Sequence, residues 1–397
     1  MHVGVFLGEL RPELGGGYTF VTDVLEGFLG IADRSNHRFS LFCQPAIADR
    51  LLSSGLPANV RVVRLASRGR VGRAVATLKH VLPVFGLLWR RPSALERAAL
   101  AHRVELMWFV GGFFDTLDIP YVATVWDVQH LTHPWFPEVS SRWRWEYREL
   151  FLQRHLRRAT AVITGTEVGR KELTFFYRLP EDRIHILPHP TPSFALNATS
   201  RNDRDIVERF GLPDRFLLYP AQFWAHKNHV NLLLAMKRLE GDSHVVPDLV
   251  LVGSDKGNRR FVEDEAKKLG LSHKVHFLGF VSTEDLMALY RSAEALIYPS
   301  FSGPENLPPL EAFALECPVL ASDFPGAREQ LGDAALLFDP GDPSDMAKQI
   351  LRMREEGVRA ELVQRGKARS SHWTSREFAE GVLRIVDEIE PKRRAWR

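Results

Sequence analysis

Short apolar runs alternate along this chain with longer segments in which apolar residues recur about every three or four positions. The short runs are typical of buried strands, and the longer pattern is typical of amphipathic helices. The runs of the first half are residues 3–7, 39–43, 60–65, 105–110, 121–126, 161–164 and 183–187. Those of the second half are residues 216–220, 249–253, 275–278, 295–298, 319–321 and 334–338. Continuous apolar strands that alternate with helices predict parallel sheets covered by helices on both faces.

Two successive series of this kind predict two doubly wound, Rossmann-like α/β domains, which a length of 397 residues accommodates. Residues 189–192 contain two prolines and precede a polar stretch, so they predict a connector between the domains. We therefore assign residues 1–190 to the first domain and residues 191–374 to the second. The amphipathic pattern that follows the candidate N-cap Ser375 predicts a C-terminal helix within residues 375–397.

The composition is 45% hydrophobic and 25% charged, which excludes extended disorder and collagen-like repeats. Cys43 and Cys317 are the two cysteines, and their apolar surroundings favour reduced, buried thiols over a disulfide or a metal site. No apolar run approaches the roughly 18 residues that span a bilayer, and the N-terminus lacks the pattern of a signal peptide. We therefore expect a cytoplasmic protein.

The positive charge is concentrated in one segment. The net charge is +3, but residues 66–103 hold eight basic side chains against the single acidic Glu96, which argues against general nucleic-acid binding. Within this segment the apolar residues 81–89 end at Arg90 and Arg91. Such a pattern suits peripheral contact with an anionic membrane surface, at the inner face of the membrane. The alternative is that the segment packs on the sheet of the first domain.

A run of three glycines follows the first predicted strand. We expect a helix to begin near Tyr18 or Thr19, so Gly16 and Gly17 would bring backbone amides close to phosphate or sugar oxygens. The spacing is not that of a dinucleotide-binding fingerprint. A tight turn between strand and helix is the other interpretation.

The second domain carries a lysine where the helix dipole opposes a cation. Lys227 stands at the predicted start of the helix that follows the strand 216–220. A lysine in that position indicates a bound anion. An exposed lysine at the end of a loop is the alternative.

Residues 298–312 form the stretch richest in candidate chemistry. Pro308 and Pro309 suit the first turn of a helix, so the amides of Asn306 and Leu307 are predicted to point outward at an anion. Glu311 lies one turn further on, where a carboxylate could accept hydrogen bonds from a ribose diol. A solvated helix glutamate is the alternative.

With these residues in place, the chain resembles the GT-B retaining glycosyltransferases of the large family-four group, also described as glycosyl transferases group 1. The resemblance rests on YPAQFWAHKN, LVGSDKGN and residues 298–342 in the second half, and on GGGYTFVTDVLEGF and TVWDVQHLTHPWFPE in the first. It implies two Rossmann-like domains that face each other across a cleft, with the C-terminal helix crossing back to the first. It further implies a nucleotide-diphosphate sugar donor, transfer with retention, no metal or other cofactor, and a glycan or lipid-linked acceptor.

Several positions match the donor site of that family. The resemblance implies that Lys227 binds the donor diphosphate and that Glu311, the second glutamate of an E-x7-E pattern, binds the ribose. The remaining matches are Phe280 and Val281 at the base and Gly16 and Gly17 at the diphosphate.

Three positions depart from the family pattern. Gln222 replaces an arginine of the phosphate site. Gly303 replaces the first glutamate of E-x7-E, with Glu305 two residues later. Trp126 replaces a histidine of the loop in the first domain, which leaves the polar residues Asp127, Gln129 and His130.

The resemblance also defines the catalytic candidates. Lys227 and the helix start at Asn306 and Leu307 would stabilise the charge that accumulates on the leaving diphosphate. Asp127 and Glu305 are the candidate carboxylates near the anomeric carbon. His130 is a candidate for contact with substrate or for a structural role, rather than a metal ligand.

Two other functions remain open at this point. A nucleotide-sugar epimerase or a phosphorylase would share the architecture and the phosphate site. A non-catalytic subunit that binds a nucleotide sugar or a glycan would retain the fold without turnover.

Overall fold

The computed structural model describes residues 1–8, 10, 15–65, 92–114, 118–198, 204–241 and 245–396. The chain divides into two compact units. The first comprises residues 1–135, 139–190 and 375–397, and the second comprises residues 136–138 and 191–374. The short segment 136–138 therefore belongs to the second unit, which the predicted boundary at residue 190 did not anticipate.

The first unit contains a sheet of seven strands in the order β3-β2-β1-β4-β5-β6-β7. All of its strand pairs are parallel. The strands are β1 (His2–Phe6), β2 (Arg38–Cys43), β3 (Val60–Arg64), β4 (Leu106–Phe109), β5 (Tyr121–Thr124), β6 (Ala161–Thr164) and β7 (Ile184–Ile186). Each apolar run predicted in the first half overlaps one of these strands.

The second unit contains a sheet of six strands in the order β10-β9-β8-β11-β12-β13. These pairs are also parallel. The strands are β8 (Phe216–Pro220), β9 (Asp248–Val252), β10 (Val275–Gly279), β11 (Ala295–Tyr298), β12 (Val319–Ser322) and β13 (Ala335–Phe338). Every residue of β4, β5, β6, β11 and β12 is buried, as expected for parallel strands covered on both faces.

Helices connect the strands of both sheets. In the first unit they are α1 (Gly16–Leu29), α2 (Pro45–Ser53), α3 (Ala94–Ala101), α4 (Gln129–Thr132), α5 (Pro137–Ser140), α6 (Arg144–Leu156) and α7 (Glu167–Tyr177), of which α5 begins within the segment assigned to the second unit. In the second they are α8 (Ser193–Leu196), α9 (Arg204–Arg209), α10 (His229–Gly241), α11 (Arg259–Lys268), α12 (Thr283–Ser292), α13 (Leu307–Ala314), α14 (Ala327–Leu331), α15 (Pro343–Met353) and α16 (Val358–Ser370). The last helix, α17 (Ser375–Arg394), belongs to the first unit.

The first helix begins earlier than predicted. Gly15 takes a positive φ of 65° at the N-cap position, so α1 starts at Gly16 rather than near Tyr18 or Thr19. The reason is that glycine populates this backbone region without the steric cost that other residues incur. Gly16 and Gly17 consequently lie within the first turn of the helix.

Each sheet has one topological switch point. In the first sheet the strand order reverses between β1 and β4, and in the second it reverses between β8 and β11. Loops that leave neighbouring strands in opposite directions open a crevice at the carboxyl ends of the strands, where doubly wound folds bind ligands. Ligand-binding residues are therefore expected in the loops after these four strands.

Two sequence predictions concern features away from these loops. Cys43 and Cys317 are buried, unbridged thiols, as expected. The apolar stretch 81–89 with Arg90 and Arg91 lies outside the described residues, so membrane contact through this segment stays a prediction. Within the described part of the chain, every helix is too short or too polar to cross a lipid bilayer.

The packing of α17 against α1 depends on a glycine. A Cβ built on Gly27 of α1 would stand 2.4 Å from the backbone carbon and oxygen of Ser375, the first residue of α17. Ordinary side-chain contacts do not occur at that distance, so the close approach of these helices requires glycine at position 27.

We predict that Gly27→Ala lowers the free energy of unfolding by about 1–3 kcal/mol, because the added methyl group forces α17 away from α1. Gly30→Ala is the matched control. Gly30 has a helical φ of −66°, and a Cβ there would meet its nearest atoms at 3.5 Å. Urea denaturation of both variants checks this. Equal stability of the two variants would contradict the helix contact as the cause.

Candidate functional site

Lys227 lies at the switch point of the second sheet. It ends the 3-10 turn Ala225–Lys227 after β8, and α10 begins two residues later. Its Nζ donates a hydrogen bond to the Tyr298 hydroxyl at 2.8 Å and lies 3.4 Å from Oδ1 of Asn306 and 3.5 Å from Oγ of Ser300. The ammonium group is thus directed at the loop that follows β11.

Hydrogen bonds to neighbouring backbone atoms fix the position of Lys227. The Tyr219 hydroxyl donates to the Lys227 carbonyl oxygen at 2.6 Å. Asn228 takes a left-handed φ of 58°, and its Nδ2 donates to the carbonyl oxygens of Pro299 and Pro340 at 2.9 and 2.7 Å. Asparagine tolerates the left-handed region better than most residues. The sequence analysis missed Tyr219 and Asn228, although asparagine directly after the lysine is a signal for such a turn.

The segment 136–138 holds the residue before Lys227. Oε1 of Glu138 accepts hydrogen bonds from the backbone N–H of His226, at 2.9 Å, and from its ring nitrogen Nδ1. Burial opposes ionisation of Glu138, but the hydrogen bonds from His226 outweigh it, so the pKa of this carboxyl lies below its ordinary value. The Phe301 amide also donates to the His226 carbonyl oxygen at 2.9 Å. Both contacts orient the lysine loop.

The structure corrects one prediction about Asn306. Its backbone N–H does not point outward, because it donates to Oε1 of Gln330 at 3.0 Å, while Nε2 of Gln330 donates to the Asn306 carbonyl oxygen at 2.9 Å. The predicted start of α13 is right: Leu307 is its first residue and Asn306 its N-cap. The contribution of Asn306 is its side chain, whose Oδ1 also accepts from the Tyr298 hydroxyl at 2.9 Å.

The side chain of Asn306 explains the glycine at position 303. Gly303 has a φ of 117°, and a Cβ there would stand 2.9 Å from Oδ1 of Asn306. Nδ2 of Asn306 donates to the Gly303 carbonyl oxygen at 2.9 Å. Asparagine therefore fills the space that a larger residue at 303 would need. Glu305 is partly exposed in the same loop.

Glu311 is buried within the second unit. Its side chain accepts a hydrogen bond from the Tyr290 hydroxyl at 2.7 Å, and the residue is 6% exposed. The burial raises the pKa of Glu311 from its ordinary 4.5 to about 7. A merely solvated helix glutamate is thereby excluded, and the predicted ribose contact stays a prediction.

The other predicted donor residues lie at the carboxyl ends of β8 and β10. Gln222 follows β8, and its Oε1 accepts from Nε1 of Trp224 at 3.0 Å. Phe280 is 69% exposed directly after β10, and Val281 beside it is partly buried. These positions share one edge of the sheet with Lys227. Their contact with a donor base stays a prediction.

A cavity of about 590 Å³ opens at the switch point of the first sheet. Gly17, Trp126 and Asp127 line it, together with Gly111 and Gly112 from the loop after β4. Gly16 lies beside it in the first turn of α1. The cavity joins two sets of residues that are far apart in sequence, namely the glycine run and the polar loop after β5.

The ring of Trp126 explains why glycines surround it. A Cβ on Gly112 would lie 3.2 Å from the indole, and one on Gly17 would lie 3.5 Å from it. The indole also packs edge-on against Phe20, with ring centroids 5.5 Å apart. Tryptophan in place of the family histidine thus replaces a polar wall by an aromatic one.

Asp127 is held by an arginine that the sequence analysis did not identify. The Arg148 guanidinium donates to Oδ1 of Asp127 at 2.7 Å and to its carbonyl oxygen at 2.9 Å, and the Gln129 amide donates to the same Oδ1 at 2.8 Å. Burial opposes ionisation, but these donors outweigh it and hold the pKa of Asp127 below its ordinary value. Arg148 also lines the cavity, so the pair presents hydrogen-bonding groups to it.

His130 lies elsewhere than predicted. Its side chain is fully buried, and Nε2 is paired with Oε2 of Glu149 at 3.0 Å and lies 3.3 Å from the Tyr177 hydroxyl. Burial lowers the pKa of His130. These contacts favour the structural role of His130, and its catalytic role stays an untested prediction. Among the described side chains, no cluster of three or more His, Cys, Asp or Glu is arranged to hold a metal ion.

Comparison with known proteins identifies the family. Residues 201–369 match the family described as glycosyl transferases group 1. The O-antigen chain mannosyltransferase B of Escherichia coli is 25% identical over 304 residues, which cover 73% of this chain and 79% of that protein. The O-antigen chain mannosyltransferase RfbU of Salmonella typhimurium is 27% identical over 209 residues, or 53% of this chain and 55% of that protein. Residues 201–369 of this chain therefore form a domain of the group 1 glycosyltransferase family.

The fold of this glycosyltransferase agrees with that assignment. The solved structure of Anabaena HepE in complex with UDP and glucose superimposes with a TM-score of 0.69 at 17% identity. The match covers 98% of this chain and 100% of that one. The two parallel-sheet units are those of the GT-B fold, as the sequence resemblance predicted.

We predict that the stability of the glycosyltransferase falls as the pH rises from about 4.5 to 7, in part through Glu311. In that interval the unfolded chain loses the carboxyl proton while the folded protein keeps it, so rising pH favours unfolding. The contribution is on the order of 1–3 kcal/mol. Glu311→Gln keeps an acceptor for Tyr290 but cannot titrate, so its stability should change less with pH. Thermal unfolding at pH 5 and pH 8 compares the two proteins. Parallel pH profiles would contradict the shifted pKa.

Proposed function

We propose that this glycosyltransferase moves a hexose, with mannose as the first candidate, from a nucleotide-diphosphate sugar to a glycan or lipid-linked acceptor. The transfer proceeds with retention of the anomeric configuration and without a metal ion. The observation that carries the proposal is the Lys227 ammonium, which is held at the switch point of the second sheet beside Tyr298 and Asn306.

Lys227 is suited to bind and stabilise a leaving diphosphate. Its hydrogen-bond partners Tyr298, Ser300 and Asn306 contribute neutral oxygen atoms that orient the ammonium. Negative charge accumulates on the diphosphate as the bond to the sugar breaks. A preorganised cation at that point stabilises the transition state more than the ground state.

The relatives support the choice of donor. Two O-antigen chain mannosyltransferases align with much of this chain, and the Anabaena structure binds UDP and glucose. Glu311 is proposed to accept hydrogen bonds from the ribose, and Phe280 and Val281 to lie beside the base. Gln222 supplies no charge to the phosphate site, which leaves Lys227 as its principal cation.

Retention follows if the acceptor hydroxyl attacks from the face that the diphosphate leaves. The departing phosphate oxygen can then accept the proton of the attacking hydroxyl, so the reaction balances without a protein nucleophile. Asp127 supports this route because Arg148 already engages its carboxylate. The acceptor is proposed to bind in the cavity of the first unit.

We predict that Lys227→Ala lowers kcat by a factor on the order of 10²–10³, because the leaving group loses a charge-assisted hydrogen bond. Lys237→Ala, which removes an exposed lysine of α10, is the control and should retain activity. Steady-state transfer from a nucleotide-diphosphate mannose, with NMR of the anomeric proton of the product, measures rate and stereochemistry together. Near-normal kcat in Lys227→Ala would remove this lysine from the mechanism, and an inverted product would refute retention.

We predict that Glu305→Ala impairs the contact with the donor sugar alone. With glycine at position 303, Glu305 is the nearby carboxylate that could bind hydroxyl groups of the donor sugar. Its loss should reduce sugar transfer by about 10-fold or more and leave the affinity for the bare nucleoside diphosphate unchanged. Calorimetry measures the affinity for the nucleoside diphosphate and the affinity for the nucleotide sugar separately. Equal losses in both would mean that Glu305 only shapes the loop.

A further inference from the structure

Three aromatic side chains follow one another at intervals of one turn at the start of α6. They are Trp143, Tyr147 and Phe151. The Tyr147 amide donates to the Trp143 carbonyl oxygen at 3.0 Å, and Trp143 is the N-cap residue of α6. The rings of Tyr147 and Phe151 are stacked, with centroids 6.3 Å apart and planes inclined by 21°. We call these three residues the aromatic ladder.

The aromatic ladder leads from solvent into the cavity of the first unit. Trp143 is 79% exposed, Tyr147 is partly buried and lines the cavity, and Phe151 is 7% exposed at its wall. Phe113, from the loop after β4, also lines the cavity and stacks on Phe151 with centroids 6.0 Å apart. The exposure of the aromatic rings thus decreases steadily towards the cavity.

Polar side chains accompany the ladder along the same helix. Arg144 and Arg148 lie one turn apart, each next to a member of the ladder in sequence, and both line the cavity. Arg148 also forms an ion pair with Asp127, at 2.7 Å. Flat apolar rings therefore lie beside groups that donate and accept hydrogen bonds.

The backbone displays Trp143 in an unusual conformation. Arg142 and Trp143 have φ angles of 59° and 62°, so two successive non-glycine residues are left-handed. Such residues are uncommon, and strained conformations concentrate at binding sites.

We propose that the aromatic ladder is an extended acceptor subsite that binds an oligosaccharide along α6, with Trp143 as its outermost platform. The inference rests on the proposed function, since it names the class of acceptor for the same cavity. A pyranose ring has an apolar face of C–H groups and a rim of hydroxyls. Stacked rings match the face, while Arg144, Arg148 and Asp127 match the rim.

The spacing supports more than one sugar. Successive members of the ladder are separated by one helical turn, or about 6 Å along the axis, which is close to the length of a pyranose ring. Phe151 is 7% exposed and stacks on Tyr147 and Phe113, so it supports the platform, and successive sugars would meet Tyr147 and then Trp143. A monosaccharide in the cavity would not reach Trp143, whereas a longer acceptor would.

Calorimetry without donor tests the subsite. The probes are methyl α-mannoside, α-mannobiose, α-mannotriose and α-mannotetraose, with a malto-oligosaccharide series in parallel. We expect affinity to rise with length in at least one series. Trp143→Ala should weaken binding of the longest probe by about 10-fold, the value of one aromatic contact, without changing binding of the monosaccharide. Trp143→Phe should restore most of the loss.

Phe175→Ala is the matched control. Phe175 is 77% exposed on α7 of the same unit and not on α6, so its removal should leave glycan binding unchanged. Absence of a length dependence for the wild-type protein in both series would overturn the proposal. So would a Trp143→Ala variant that keeps its glycan affinity but loses binding to vesicles containing phosphatidylglycerol, which would make Trp143 a membrane contact.

The test separates this inference from the proposed function. Hydrolysis of the nucleotide sugar, or transfer to any acceptor, is measured for the wild-type protein in the same preparation. Length-dependent glycan binding without any turnover would support the subsite and refute the transferase. Turnover without length-dependent glycan binding would support the transferase and refute the subsite.

Discussion

The position of the Lys227 ammonium group depends on hydrogen bonds that hold the backbone on both sides of this residue. Tyr219 and Asn228 fix the peptide units on either side of it, and Glu138 and Phe301 fix the residue before it. The cation can then lie beside the oxygen atoms of Tyr298 and Asn306. A flexible lysine side chain would otherwise lose conformational entropy on binding an anion, so the framework makes that loss smaller.

Packing accounts for two departures from the family pattern. At position 303 the glycine leaves room for Asn306, which connects the loop to Tyr298 and Lys227. At position 126 the tryptophan occupies space that Gly112 leaves open. The unexpected glycine at position 303 lies beside the polar Asn306, and the unexpected tryptophan at position 126 lies beside the small Gly112. The hydrogen bonds among Lys227, Tyr298 and Asn306 and the cavity of the first unit are both compatible with these departures.

The two switch points use the same topology for different chemistry. In the second unit the loops after β8 and β11 bring together a cation and hydrogen-bonding oxygens. In the first unit the loops after β1 and β4 bring together glycines and aromatic rings around a cavity of about 590 Å³. The proposed function uses this division, because a phosphate is recognised by charge and a pyranose by its flat apolar face.

The sequence by itself determined the strands, the succession of two α/β domains and the donor-site candidates. Each has a local signal: apolar runs indicate strands, two prolines indicate the connector, and a lysine at a helix start indicates an anion site. Only the tertiary structure decided that the Asn306 amide binds Gln330, that Arg148 pairs with Asp127 and that His130 is buried. These outcomes depend on partners that lie roughly 20 residues away and meet only when helices pack, so no local pattern records them.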